Sequence, residues 1–195
     1  MANDDTLNVA PFPEMTWTDC DWWEGVACLP AWAGFVSSGG AYGAADSPAP
    51  SDGTARICVT PYDPSVSRMP SEAQGKAFEY QIAHGAEVVS SVLEALRSYY
   101  DRLRPRWEEA YGAEEAARIM PSVTGPADFR RLIGLHQIHV NPWLRDGMSY
   151  VGLEFGCSWD CEHGFGVMLH GSRVVDIGSA ETSFAWEPDE AEPQQ

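Results

Sequence analysis

Basic side chains are missing from both ends of this chain. Residues 1–55 carry eight acids and neither Lys nor Arg, the first basic residue being Arg56. Residues 174–195 carry six acids and again no basic residue. The middle, 56–173, holds all twelve basic residues against fifteen acids, so the net charge of −17 belongs to the ends. Phosphate contacts need clustered Lys and Arg, so nucleic-acid binding is disfavoured. Two readings of the acidity stay open: solvated ends that favour solubility, or an acidic surface that meets a basic partner.

Other absences narrow the field. No apolar run approaches the ~20 residues of a membrane-spanning helix. The start, MANDDTLNVAPFPEM, lacks the basic-then-apolar order of a secretory signal, and a cytoplasmic location is expected. The cysteines are odd in number and irregularly spaced: Cys20, Cys28, Cys58, Cys157 and Cys161. That is no disulfide framework, and free thiols, mostly buried, are expected. There is no phosphate-binding glycine loop, no G-x-S-x-G and no H-E-x-x-H.

What is present is a core-forming composition. Hydrophobic residues make up 44%, with 8 Trp, 7 Tyr and 7 Phe, which excludes wholesale disorder. The length of 195 residues suits one well-filled core. Residues 1–21, with Pro11 and Pro13 and no periodicity, are expected to form a flexible acidic lead. Residues 22–186 are expected to form a single α+β domain, and 187–195 a disordered acidic tail.

Within the domain, Trp22–Leu29 reads as a strand with Glu24, Val26 and Cys28 on one parity. Residues 37–54 read as a long loop, either functional or mobile, and Ala55–Pro61 as a β-branched strand closed by proline. After Pro70, Ser71 and Gln74 fit a capping box. Phe78, Ile82, Val89, Val92, Leu96, Tyr99 and Leu103 then form one apolar stripe, with Gly85 on it permitting close packing. Pro105 is expected to interrupt this helix, with the Arg97, Arg102, Arg104 and Arg106 cluster at its end. Shorter helices are expected through Trp107 and Tyr111, and from Pro126 to near Gly134.

The last third switches to period two. Leu135–Val140 is a short strand candidate, with His136 and His139 on opposite parity. Val151, Leu153, Phe155, Cys157 and Trp159 alternate with small or polar residues. Gly166–His170 and Arg173–Ile177 follow, joined by the two-residue loop Gly171-Ser172. The expected fold is α+β: an antiparallel meander covered on one face by the long amphipathic helix plus shorter helices.

The densest reactive group is Cys157-Ser158-Trp159-Asp160-Cys161-Glu162-His163. A zinc reading would use Cys157, Cys161 and His163, with His139 or His170 as a fourth ligand, but there is no second Cys pair, C-x3-C-x-H is not a standard spacing and Cys157 lies on the core-facing parity. A catalytic reading would pair Asp160 or Glu162 with His163, or Cys161 with His163, yet no oxyanion feature accompanies them. The structural reading is a hairpin corner: Asp160 or Glu162 accepts backbone N–H bonds, His163 ties the strands, and Gly164 and Gly166 adopt conformations closed to other residues. It explains every residue type without a ligand.

Trp159-Asp160-Cys161-Glu162-His163-Gly164-Phe165-Gly166-Val167 resembles the W-D-x-E-H-G-x-G-V hairpin of a bacterial domain-of-unknown-function family. Tyr150–Cys157, Leu29–Phe35, Pro50–Thr54 and Val175–Gly178 fit as well, so the resemblance spans about residues 22–186. In that pattern the position of Cys161 is more often a carboxylate, which weakens the zinc and thiol readings. Members of the family resemble small immunity-type proteins encoded near toxins. The charge asymmetry, the absent catalytic fingerprint and this resemblance together lead to the expectation of a binding protein that engages a basic protein such as a toxin domain; no cofactor and no metal are expected. Asp160, Glu162, His163 and Glu154 are the candidate binding residues. A small-ligand or metal-assisted enzyme at the 160–163 corner is the alternative.

Overall fold

The computed structural model describes residues 5–37 and 49–185. The tail 187–195 and most of the expected loop, 38–48, lie outside the described residues. Ten strands are seen: β1 (Thr6–Leu7), β2 (Met15–Trp17), β3 (Trp23–Cys28), β4 (Val36–Ser37), β5 (Ala49–Pro50), β6 (Thr54–Val59), β7 (Ile133–Arg145), β8 (Met148–Cys157), β9 (Phe165–His170) and β10 (Arg173–Gly178). Three α-helices, α1 (Glu72–Ala83), α2 (Gly85–Tyr111) and α3 (Ala113–Ile119), lie between β6 and β7. None of the described helices is long and apolar enough to cross a membrane.

Eight strands form one sheet in the order β1-β2-β3-β6-β7-β8-β9-β10, with β4 and β5 paired apart. The expected meander is present as β7 to β10, all antiparallel, with β9 and β10 joined at Gly171-Ser172. It is only half of the sheet. β6 and β7 run parallel, and the helices are the crossover between them. The class is α+β, and the sheet is mixed.

Residues 5–21 depart from the expected flexible lead. β1 pairs with β2 and β2 with β3, while Phe12 and Met15 are buried. Phe12 stacks on Phe78 of α1 at 5.4 Å, so apolar burial holds a segment that shows no sequence periodicity.

Ser71 caps α1 as expected: its hydroxyl accepts the Gln74 N–H, and the Gln74 side chain accepts the Ser71 N–H. The apolar stripe is split between two helices that break at His84. A Cβ on Gly85 would come 2.8 Å from Ala31 Cβ, so the break lies where the chain packs against the 3-10 turn Pro30–Trp32. Ile82, in the last turn of α1, lies off the buried face, which Phe78 and Gln81 occupy, and is exposed. α2 also runs through Pro105, which is solvent-exposed. Packing of Leu103 and Trp107 against the core carries the helix across the residue. The arginine cluster is therefore internal to α2, where Arg97–Asp101 (2.8 Å) and Arg104–Glu108 (3.2 Å) pair at i,i+4. The stretch from Pro126 is a 3-10 turn ending at Arg131.

α1 lies over β7 and β8, and α2 over β10 and the two 3-10 turns. Val151, Leu153, Phe155, Cys157 and Trp159 face this core as the alternation required. Trp32 meets Phe155 at 4.9 Å and Tyr100 meets Trp159 at 5.2 Å. The alternate face of β8 is buried too, because a 3-10 turn, Ala180–Phe184, folds back across it. A Cβ on Gly152 would overlap the carbonyl of Ser183, and one on Gly166 would come within 2.7 Å of the Ser179 and Ala180 oxygens. Both glycines are slots for this strap.

Both sheet edges are blunted. β1 has two residues; β10 carries a bulge between Val174 and Asp176, and the Ile177 N–H is taken by Asp176 Oδ1 at 2.8 Å. Among the described residues, the accessible region of the sheet is instead half of its second face.

Candidate functional site

The hairpin corner follows the structural reading in part. Asp160 Oδ1 accepts the backbone N–H of His163 at 3.0 Å and meets its Nδ1 at 3.1 Å. The Gly164 N–H donates to the Asp160 carbonyl, and Gly164 has φ +70. A Cβ there would also overlap the carbonyl of Phe155, so only glycine fits. Glu162 lies within this turn with its side chain exposed. The imidazole of His163 is 67% exposed and ties no strands together.

The cysteines of the motif point apart. Cys161 is exposed, whereas Cys157 is buried with its thiol donating to the Asp160 carbonyl, and burial pushes that thiol's pKa up. Among the described residues no group of three or more His, Cys, Asp or Glu side chains is arranged to hold a metal ion.

One consequence is measurable. Asp160→Ala removes a turn-forming acceptor and is expected to cost about 1 kcal/mol, while Glu162→Ala stays within about 0.5 kcal/mol of the parent. Thermal melts of the two variants decide it; equal losses would contradict the assignment.

Glu154 is placed elsewhere, on the second face of β8. Cross-strand register arranges this face in two rows. One runs Thr6, Thr16, Glu24, Cys58, His139, Gly152 and Met168; the other runs Val26, Arg56, Gln137, Glu154 and Gly166. The strap covers the Gly152–Gly166 end, and Thr6, Thr16, Glu24, Val26 and Arg56 at the other end are exposed.

At the step between the covered and open halves, His139 Nε2 meets Glu154 Oε2 at 3.1 Å, with side-chain exposures of 12% and 7%. Phe184, at the end of the strap, lies against the His139 ring at 5.2 Å. Beside this pair, Arg56 Nη2 is 2.6 Å from His136 Nε2. Burial, and then the Arg56 guanidinium, holds the His136 pKa below its usual value; Glu154 works in the opposite direction.

The expected separation of His136 from His139 does not hold. A bulge between Leu135 and Gln137 breaks the alternation and brings both rings into one cluster with Arg56 and Glu154. Two histidines three apart were visible in the sequence; the bulge that makes them converge was not. Cys58 faces the same side, and burial pushes its thiol up to about 12, far from a reactive thiolate.

A family model described as "Domain of unknown function (DUF6985)" matches residues 51–184. That stretch contains both the corner and the Arg56–His136–His139–Glu154 cluster, while β1 to β3 precede it. No curated protein and no solved structure matches the chain. With more than half of its residues inside the family match, this chain belongs to the DUF6985 family of domains of unknown function.

Proposed function

We propose that this chain is a protein-binding module that engages a basic partner through the open half of its sheet. The observation that carries this reading is the character of β1 to β3 and the turn between β2 and β3. Asp5, Glu14, Asp19, Asp21 and Glu24 are all exposed along these segments, and Val26, on the same strand face as Glu24, is 63% exposed. An exposed apolar residue set among carboxylates suits a partner whose basic groups surround a small apolar contact. The blunted edges direct binding to the face rather than to strand addition. A toxin domain, the partner that the family resemblance suggests, would fit this chemistry.

The enzyme alternative has less support. Asp160 is occupied by its own turn, the Glu162 side chain is exposed, and Glu154 is on another surface.

The test is affinity capture from the native host with the parent chain and with Asp21→Lys/Glu24→Lys. The parent should retain a basic protein at low salt and release most of it at about 0.5 M, where charges are screened beyond a few Å. The double reversal should slow association by about tenfold or more. Capture that is indifferent to both salt and reversal would remove the reading.

A further inference from the structure

We propose that Arg56 and His136, walled by the His139–Glu154 pair, form a binding site for a single carboxylate group of a ligand lying on the open half of the sheet. The argument begins with hydrogen-bond roles. A guanidinium only donates, so in the 2.6 Å contact His136 Nε2 must accept. His136 is then neutral, with its one ring proton on Nδ1. Arg56 is thus partnered by a group that satisfies one donor and none of its charge.

The nearby carboxylates do not fill this role. Glu154 is taken by His139, and Glu24, on the neighbouring strand, accepts the indole N–H of Trp22 at 2.8 Å. No described carboxylate pairs with Arg56. The contact with His136 engages one arm of the guanidinium, and Arg56 is exposed, so its other donors are accessible to a ligand. A planar fork of this kind matches a carboxylate with two parallel hydrogen bonds. The charge count selects among anions: one unmatched cation balances a monoanion, while a phosphate dianion would carry excess negative charge beside Glu24 and Glu154. Distant acidic groups weigh little, because charges more than about 10 Å apart are screened at physiological salt.

His136 reports occupancy. The charged groups acting on it are Arg56 from β6, Glu154 from β8 and His139 from its own strand. A carboxylate seated on Arg56 offsets the guanidinium that opposes His136 protonation, so the His136 pKa rises towards the ordinary histidine range. A protonated His136 no longer accepts from Arg56 but donates its Nε2–H to the seated carboxylate instead, so binding and protonation are coupled and affinity increases as pH falls through the His136 titration.

The experiment uses the full chain and two small probes, N-acetylglycine and its uncharged amide, with NMR of the histidine ring protons. N-acetylglycine is expected to shift the His136 signals saturably and to raise its titration midpoint. The amide, and sodium chloride at matched ionic strength, should do neither. Inorganic phosphate at the same ionic strength tests the charge count and should bind more weakly than N-acetylglycine. Arg56→Gln, at an exposed position that leaves the core untouched, should weaken N-acetylglycine by about tenfold or more, the loss expected for a charge-assisted pair. It should also raise the His136 midpoint without any ligand. Shifts of equal size from N-acetylglycine, its amide and chloride, or full binding by Arg56→Gln, would overturn the proposal. Tighter binding of phosphate would overturn the choice of a monoanion. The probes need no protein partner, so either result leaves the basic-partner reading to its own test.

Discussion

Gly152→Ala is expected to lower the stability of the chain by about 3 kcal/mol or more, at the upper end of what overpacking costs. The added methyl would occupy the position of the Ser183 carbonyl, and backbone cannot rotate away as a side chain can. Relief requires lifting the strap Ala180–Phe184 off the sheet. That exposes the second face of β8 and β9 and removes Phe184 from His139. Gly166→Ala meets the same strap through the Ser179 and Ala180 oxygens. Because one displacement relieves both clashes, the double variant should lose less than the sum of the singles. Urea denaturation of the three variants measures this. Additive losses would mean that the two glycines act independently, and a Gly152→Ala variant as stable as the parent would refute the slot.

His139→Ala should produce the next largest loss, about 2 kcal/mol, by leaving the buried Glu154 carboxyl without its hydrogen-bond partner. The asymmetry of buried pairs supplies the control. Replacing both members with apolar residues removes the stranded polar group, so His139→Leu/Glu154→Leu should recover most of the loss. Glu154→Gln keeps an acceptor for the imidazole and should fall between the parent and His139→Ala. Denaturation midpoints at one pH rank the four proteins. A double variant no better than His139→Ala would show that the pair contributes through packing against Phe184 instead of through its hydrogen bond.

The two candidate surfaces differ in how far local sequence reveals them. The 157–166 hairpin stands out because its chemistry is contiguous, and that same contiguity makes Asp160 and Gly164 sufficient to build a turn. The cluster around His136 draws residues from β6, β7 and β8. Glu154 was legible as a carboxylate in the wrong company, set among glycines on a strand. Its partners were not, because Arg56 comes from across the helical crossover and His136 turns on a bulge.

Local chemistry alone determined the capping box at Ser71 and Gln74, the alternation of β8, the Gly171-Ser172 loop and the division of charge along the chain. The first three depend on residues within a few positions of one another, where helix, strand and turn geometry dictate the spacing, and the last is read directly from composition. Tertiary structure decided the parallel pairing of β6 with β7, the recruitment of β1 and β2, the passage of α2 through Pro105 and the burial of both faces of β8. In every one of these the decisive energy is apolar burial or hydrogen bonding between segments distant in sequence. It can outweigh the local preference of a proline, or of an aperiodic segment, while leaving no period for the sequence to display.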